Sequence, residues 1–72
     1  MWMPKLPRDV SYERLRRFLL RHGWTLAREG ARHAVFAREG EHVSVPRHGS
    51  LKTGTLAAIL RQAGLMDRAD DL

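Results

Sequence analysis

The chain contains no cysteine, so disulfide bonds and thiolate metal sites are both excluded. Long hydrophobic runs are also missing: the longest, residues 56–60, is far shorter than the ~20 residues that cross a bilayer. Residues 1–7 hold two prolines and no hydrophobic signal core, so we expect a cytoplasmic protein without membrane attachment. One small domain of 72 residues must therefore be held together by packing.

Acidic residues are scarce relative to basic ones. The chain has 8 Asp+Glu against 13 Lys+Arg, a net charge of +5, and eleven of the cations are arginine. Seven arginines lie between Arg14 and Arg38, whereas three aspartates gather after Leu65. Guanidinium groups suit planar contact with phosphate. The balance predicts a nucleic-acid partner better than a small acidic substrate.

Metal-binding and nucleotide-binding motifs are lacking as well. No His-x-x-x-His pair occurs, and the carboxylates are scattered, so no metal site is expected. The segment from Gly49 to Gly54 lacks the Gly-Lys-Ser/Thr ending of a P-loop. We therefore expect neither a metal nor a small-molecule cofactor.

Two amphipathic helices are predicted. The first is capped by Asp9 or Ser11, runs to about His22 and ends at Gly23, with Trp24 packed over the last turn. The second covers about residues 55–63, with Thr53 or Thr55 as the cap, and ends at Gly64. Its apolar stripe consists of Leu56, Ile59, Leu60 and Ala63.

Three strands are predicted between the helices, because the hydrophobic period changes from 3.6 to 2. They cover residues 24–28, residues 32 or 33 to 38, and residues 42–45, with a hairpin turn at Glu39-Gly40 and a strand end at Pro46. In the first strand, Trp24, Leu26 and Arg28 are expected on one side. The order α-β-β-β-α predicts an α+β fold like the double-stranded-RNA-binding domain, with both helices on one face of an antiparallel sheet. Residues 1–8 are interpreted as an arm, with Trp2 and Leu6 tucked onto the domain, residues 9–65 as the domain, and residues 66–72 as a fraying acidic tail.

The four histidines are the only side chains that ordinarily titrate near neutrality. His22 lies at a helix end, where packing or capping explains it, and His42 begins a strand without an obvious partner. His48 lies in the basic connection after Pro46. His33 begins a strand beside Arg32 and an apolar run. From the residues alone, His33 is open to three roles: catalysis, phosphate contact or packing.

The chain resembles the HicA family of bacterial toxin ribonucleases between about Ser11 and Leu65. The residues that carry this resemblance are Leu15, Gly23-Trp24, Arg28, His33-Ala34-Val35-Phe36, Val43-Ser44-Val45-Pro46, His48, Leu51-Lys52-Thr53-Gly54-Thr55-Leu56, Ile59-Leu60 and Gln62-Ala63-Gly64-Leu65. The pattern Leu-x-x-Gly-Thr-Leu-x-x-Ile-Leu-x-x-Ala-Gly after a Val-x-Val-Pro strand is quite specific.

The resemblance implies a metal-independent mRNA interferase that is neutralised by a HicB antitoxin. It implies that His33 is the catalytic histidine, although Ala31-Arg32 stand where the family usually has Gly-Ser. The candidate RNA contacts are the cations and hydroxyls near the strand and helix ends: Arg28, Arg32, His48, Lys52, Thr53 and Thr55. Two other functions stay open, a non-catalytic RNA-binding module of the same fold and a protein-interaction domain for an acidic partner.

Overall fold

The computed structural model describes residues 6–72 of the chain. In chain order the elements are β1 (Val10–Ser11), α1 (Tyr12–Arg21), β2 (Thr25–Glu29), β3 (His33–Arg38), β4 (Glu41–Pro46), β5 (Ser50–Leu51), α2 (Thr53–Ala63) and a 3₁₀ helix (Met66–Asp71). The predicted α-β-β-β-α order is confirmed. Trp2 of the expected arm lies outside the described residues, whereas Leu6 packs, half-buried, against the core.

Helix α1 forms between two local signals that the sequence shows plainly. At its start, the Ser11 hydroxyl accepts a hydrogen bond from the Arg14 amide at 3.1 Å, so Ser11 rather than Asp9 is the cap. At its end, Gly23 has a φ of +88°, and the Trp24 amide donates to the Leu19 carbonyl at 3.0 Å. This is the expected glycine-terminated ending, and it directs Trp24 into the core, where it is 1% exposed.

Strands β2, β3 and β4 form an antiparallel sheet in that order, so β3 is the central strand. Ala34 and Phe36 of β3 lie opposite Val45 and Val43 of β4. All four side chains are buried, and they form one core with the apolar faces of the two helices. The helices therefore cover one face of the sheet, and the other face is open.

Helix α2 begins earlier than predicted and without the predicted cap. It starts at Thr53, with Lys52 as the N-cap residue, and no side chain caps it. The prediction of a threonine cap is therefore wrong, because both threonines lie inside the first turn. The end is as predicted: Gly64 has a φ of +70°, and the Leu65 amide donates to the Leu60 carbonyl at 2.8 Å.

Two elements near the chain ends were not predicted. β1 pairs with β5 as a short antiparallel ribbon, with Val10 opposite Leu51, and this ribbon ties the starts of the two helices together. Residues 66–71 form a 3₁₀ helix in which Ala69 is buried. Because α1 side chains also hold this segment, with Arg14 donating to the Leu72 carbonyl at 2.8 Å and Arg21 to the Asp71 carbonyl at 2.7 Å, the expected fraying is wrong.

The two ends of β3 have different surroundings. At its C-terminal end, Arg38 donates to the carbonyls of His22 and Ala63. These two residues lie at the C-terminal ends of α1 and α2. At its N-terminal end, His33 lies opposite Pro46, close to where the chain enters the β1–β5 ribbon and both helices begin. Since helix N-termini carry partial positive charge, the two helix starts add positive potential at the His33 end of the sheet.

Candidate active site at the start of the central strand

His33 is the first residue of β3 and its side chain is exposed. Successive side chains of a strand point to opposite faces, and the next residue, Ala34, is 0% exposed in the core. His33 therefore points to the open face of the sheet. The predicted position at the start of a strand, where solvent can reach the imidazole, is confirmed.

Arg28 shares this open face, which corrects the expected alternation. Leu26 lies opposite Phe36 and Arg28 lies opposite Val35, so the register shifts between Leu26 and Arg28. Such a β-bulge adds one residue to one strand, so the side chain that follows points to the opposite face from the one that simple alternation predicts. Arg28 is thus on the side of Val35 and His33 and not on the side of Leu26. Diagonal neighbours on one sheet face are about 7–8 Å apart, so the guanidinium can reach an anion held at His33.

The turn before His33 is held by backbone hydrogen bonds at both of its ends. The Gly30 amide donates to the His33 carbonyl at 2.8 Å, and the Arg47 amide donates to the Arg32 carbonyl at 2.8 Å. The side chains of Ala31 and Arg32 are exposed. Arg32 is therefore placed immediately beside His33 with its backbone fixed and its side chain in solvent.

Three residues that the sequence did not single out lie beneath this turn. Tyr12, the first residue of α1, donates its hydroxyl to Glu29 Oε2 at 2.8 Å. Arg47 follows β4, and its Nε lies 3.9 Å from the same oxygen, while its guanidinium donates to the Gly30 carbonyl. Burial, together with the hydrogen bond to Glu29, raises the pKa of Tyr12 to about 12. These residues are 17 or more positions apart, so no sequence spacing reveals the cluster.

The remaining predicted RNA contacts lie in the connection after β4 and in the first turn of α2. His48, Lys52, Thr53 and Thr55 are all exposed. Within residues 6–72, no side-chain hydrogen bond or ion pair joins any of them to His33. The first-turn amides of α2 have no side-chain acceptor, so Lys52 and these donors offer a second place at which an anion can bind.

Two concave surfaces lie away from His33. Shallow depressions of about 330 and 390 Å³ are lined by Leu6, Arg14 and Leu72 in one case and by Gly23, Thr25 and Arg38 in the other. Neither is lined by His33. The candidate site at His33 is an exposed surface, which fits a polymeric ligand better than an enclosed small molecule.

Within the described part of the chain, no group of three or more His, Asp or Glu side chains is arranged to hold a metal ion. None of the helices in residues 6–72 is long and apolar enough to cross a membrane.

Comparison with known proteins gives one informative match. The family model described as the HicA toxin of bacterial toxin-antitoxin systems matches residues 12–65, three quarters of the 72-residue chain. The match covers both helices and all three strands of the main sheet. Neither a curated protein nor a solved structure matches significantly.

Proposed function

The chain belongs to the HicA family of toxins of bacterial toxin–antitoxin systems, and from this premise we propose that it is an endoribonuclease that cuts mRNA with His33 as its general base. The observation that carries the proposal is the placement of His33. It is exposed at the start of the central strand, on the open face of the sheet, and Arg28 lies on that same face.

The proposed reaction uses the 2′-hydroxyl of the RNA as the nucleophile. His33 takes the 2′-OH proton while the oxygen attacks the neighbouring phosphorus, and the bond from phosphorus to the 5′-oxygen breaks. The 5′-oxygen takes a proton from water or from the protonated His33. The products are a 2′,3′-cyclic phosphate and a 5′-OH end. Proton transfer of this kind contributes about 10²–10⁴-fold to rate.

Cations around His33 stabilise the negative charge that grows on the phosphoryl oxygens. Arg28 faces the site across the sheet, Arg32 directly precedes His33, and Lys52 lies at the start of α2. We expect the exposed His48, Thr53 and Thr55 to contact the backbone of a bound strand. Arg32 takes the place of the serine that the family usually has before the histidine, so a cation replaces a hydroxyl next to the reacting phosphate.

We assign the antitoxin role to a HicB-family protein, encoded beside this chain, that occludes His33 and presents acidic groups to the arginines. The toxin then acts in the cytoplasm on mRNA and inhibits translation and growth. The ribonuclease activity is assigned to residues 9–65, with no metal or other cofactor taking part.

The test compares wild type with His33→Ala in growing cells and with purified proteins. Wild type is expected to stop growth and fragment transcripts, whereas His33→Ala does neither. His42→Ala is the matched control, because His42 is exposed on the same face opposite Ala37, roughly 13 Å from His33 along the strand. Cleavage in vitro is expected to persist in EDTA and to fail on a strand whose 2′-hydroxyls are removed.

The alternative, a non-catalytic RNA-binding module, is motivated by Ala31-Arg32 in front of His33. It predicts that cells expressing wild type and His33→Ala grow equally and that transcripts stay intact in both. That outcome would overturn the ribonuclease proposal. If wild type binds no RNA at any salt concentration, the result would instead favour a protein-interaction domain.

A further inference from the structure

The cluster of Tyr12, Glu29 and Arg47, here named the turn anchor, joins three separate parts of the chain below the β2–β3 turn. The Tyr12 hydroxyl and Arg47 Nε approach the same Glu29 oxygen, at 2.8 and 3.9 Å. The Arg47 guanidinium also lies over the Tyr12 ring, with Cζ 5.6 Å from the ring centroid. Each member of the anchor therefore contacts both others.

Arg47 connects this anchor to both ends of the turn that carries His33. Its guanidinium donates to the carbonyl of Gly30, the first turn residue. Its amide donates to the carbonyl of Arg32, the last turn residue, at 2.8 Å. Ala31 and Arg32 are exposed, so the core does not fix this turn through their side chains. One arginine thus restrains the peptide units on both sides of the segment that places His33.

The anchor uses polar groups at a place where desolvation is costly. Tyr12 is only 7% exposed, and Arg47 Nε is buried with no hydrogen-bond partner among the described residues. The Arg47 and Glu29 side chains are 33% and 39% exposed, so their ion pair adds little to stability. What the polar groups add is a directed contact to the turn carbonyl, which apolar packing does not supply.

We propose that Arg47 is a positioning residue that holds the β2–β3 turn, and with it the imidazole of His33, at the proton-transfer geometry, and that Tyr12 and Glu29 orient Arg47 for this task. The inference rests on the proposed ribonuclease function. A base must lie within hydrogen-bond reach of the proton it removes, and a displacement of about 1 Å can cost about a hundredfold in rate.

The experiment compares Arg47→Met with Arg61→Met. The methionine removes the guanidinium and keeps an unbranched stem, and for Arg61 the described structure records no side-chain hydrogen bond or ion pair. Single-turnover cleavage of an in vitro transcribed mRNA is expected to slow about tenfold or more in Arg47→Met, while Arg61→Met cleaves like wild type. RNA affinity, measured in the His33→Ala background, is expected to change less than twofold.

Amide hydrogen exchange reports the turn directly and does not depend on cleavage. The Gly30 amide, which donates to His33, is expected to exchange about fivefold faster or more in Arg47→Met. The Leu65 amide, which donates to Leu60 at the end of α2, is the internal control and is expected to stay unchanged. Tyr12→Phe removes only the hydroxyl, and a smaller shift in the same direction is expected for both cleavage and exchange.

Three results would overturn the inference. Unchanged cleavage beside faster Gly30 exchange would show that the turn need not be held. Equal acceleration at Gly30 and Leu65 would make Arg47 a residue of general stability. Weaker RNA binding with an unchanged cleavage rate would make it a ligand contact. If the ribonuclease function itself is wrong, wild type and His33→Ala both leave RNA intact, which is distinguishable from all three.

Discussion

Replacing Arg38 with methionine tests whether one guanidinium fastens the C-terminal ends of both helices to the sheet. Arg38 Nη1 donates to the His22 carbonyl at 3.4 Å and Nη2 to the Ala63 carbonyl at 3.2 Å. Its Cζ lies 4.7 Å from the centroid of the Trp24 ring. Methionine keeps much of the aliphatic stem and removes all three contacts. The change therefore isolates the guanidinium.

The expected loss follows from these contacts. Hydrogen bonds from a charged donor contribute about 1.5–3 kcal/mol each. We take about 1 kcal/mol for each bond, because one donor–acceptor distance is at the long end of the usual range and the other lies beyond it. A partly desolvated cation–π contact adds about 0.5–1 kcal/mol. Arg38→Met should therefore lower the free energy of unfolding by roughly 2–3 kcal/mol. For a domain of this size, that corresponds to a fall in Tm of roughly 10–20 °C.

Urea and thermal unfolding followed by far-UV circular dichroism measure this loss. Arg17→Met is the control, because Arg17 is exposed on α1 and has no side-chain hydrogen bond or ion pair within residues 6–72. Arg38→Lys keeps the charge and is expected to recover only part of the loss, since an ammonium lacks the planar fork. Equal stabilities of Arg38→Met and Arg17→Met would refute the reasoning.

Three further predictions concern other contacts. The pKa of Tyr12 is about 12 in the folded protein and near 10 in the unfolded chain. The protonated Tyr12 hydroxyl therefore contributes to the free energy of unfolding in full below pH 10, and this contribution is lost as pH rises towards 12, by roughly 2–3 kcal/mol in all. Urea titrations at pH 9 and 11 should show the decline in wild type and not in Tyr12→Phe. Arg28→Gln should make the fall of log affinity with log salt concentration less steep by about 0.7 for single-stranded RNA, whereas Arg61→Gln should leave it unchanged. Fluorescence anisotropy in the His33→Ala background measures both slopes. Asp71→Asn should cost less than about 0.5 kcal/mol, since Asp71, 3.2 Å from His22 Nε2, is 56% exposed; a larger loss in urea unfolding would contradict this.

The parts of the fold that the sequence predicted correctly depend on local signals. Gly23 and Gly64 adopt the left-handed backbone conformation at the ends of α1 and α2. Each is followed by an apolar residue whose amide donates a hydrogen bond to a carbonyl of the last helical turn. Alternating apolar residues placed β3 and β4 within a residue of their observed bounds. Such signals act within a few residues, so they can be identified in the sequence without knowledge of the tertiary structure.

The unpredicted parts depend on contacts between distant residues. The bulge that turns Arg28 to the open face is defined by its register with β3, and alternation alone places Arg28 on the wrong side. The β1–β5 ribbon joins Val10 to Leu51. Likewise, His33 was identified as a candidate from its position in the sequence, whereas the turn anchor around Arg47 required the folded structure. Pairings of high sequence separation leave no periodic pattern.

The structure also changes what the high arginine content means for ligand binding. Arg14, Arg21, Arg38 and Arg47 each donate to a backbone carbonyl of the chain itself, so these four of the eleven arginines serve first to hold the fold together. Arg28 and Arg32 are exposed and have no side-chain hydrogen bond or ion pair among the described residues. A guanidinium that already closes a helix end cannot follow a phosphate without breaking that contact, whereas a free one can. The count of 13 Lys and Arg residues therefore overstates the number of cations that are free to contact a ligand, and two of the free ones, Arg28 and Arg32, lie beside His33.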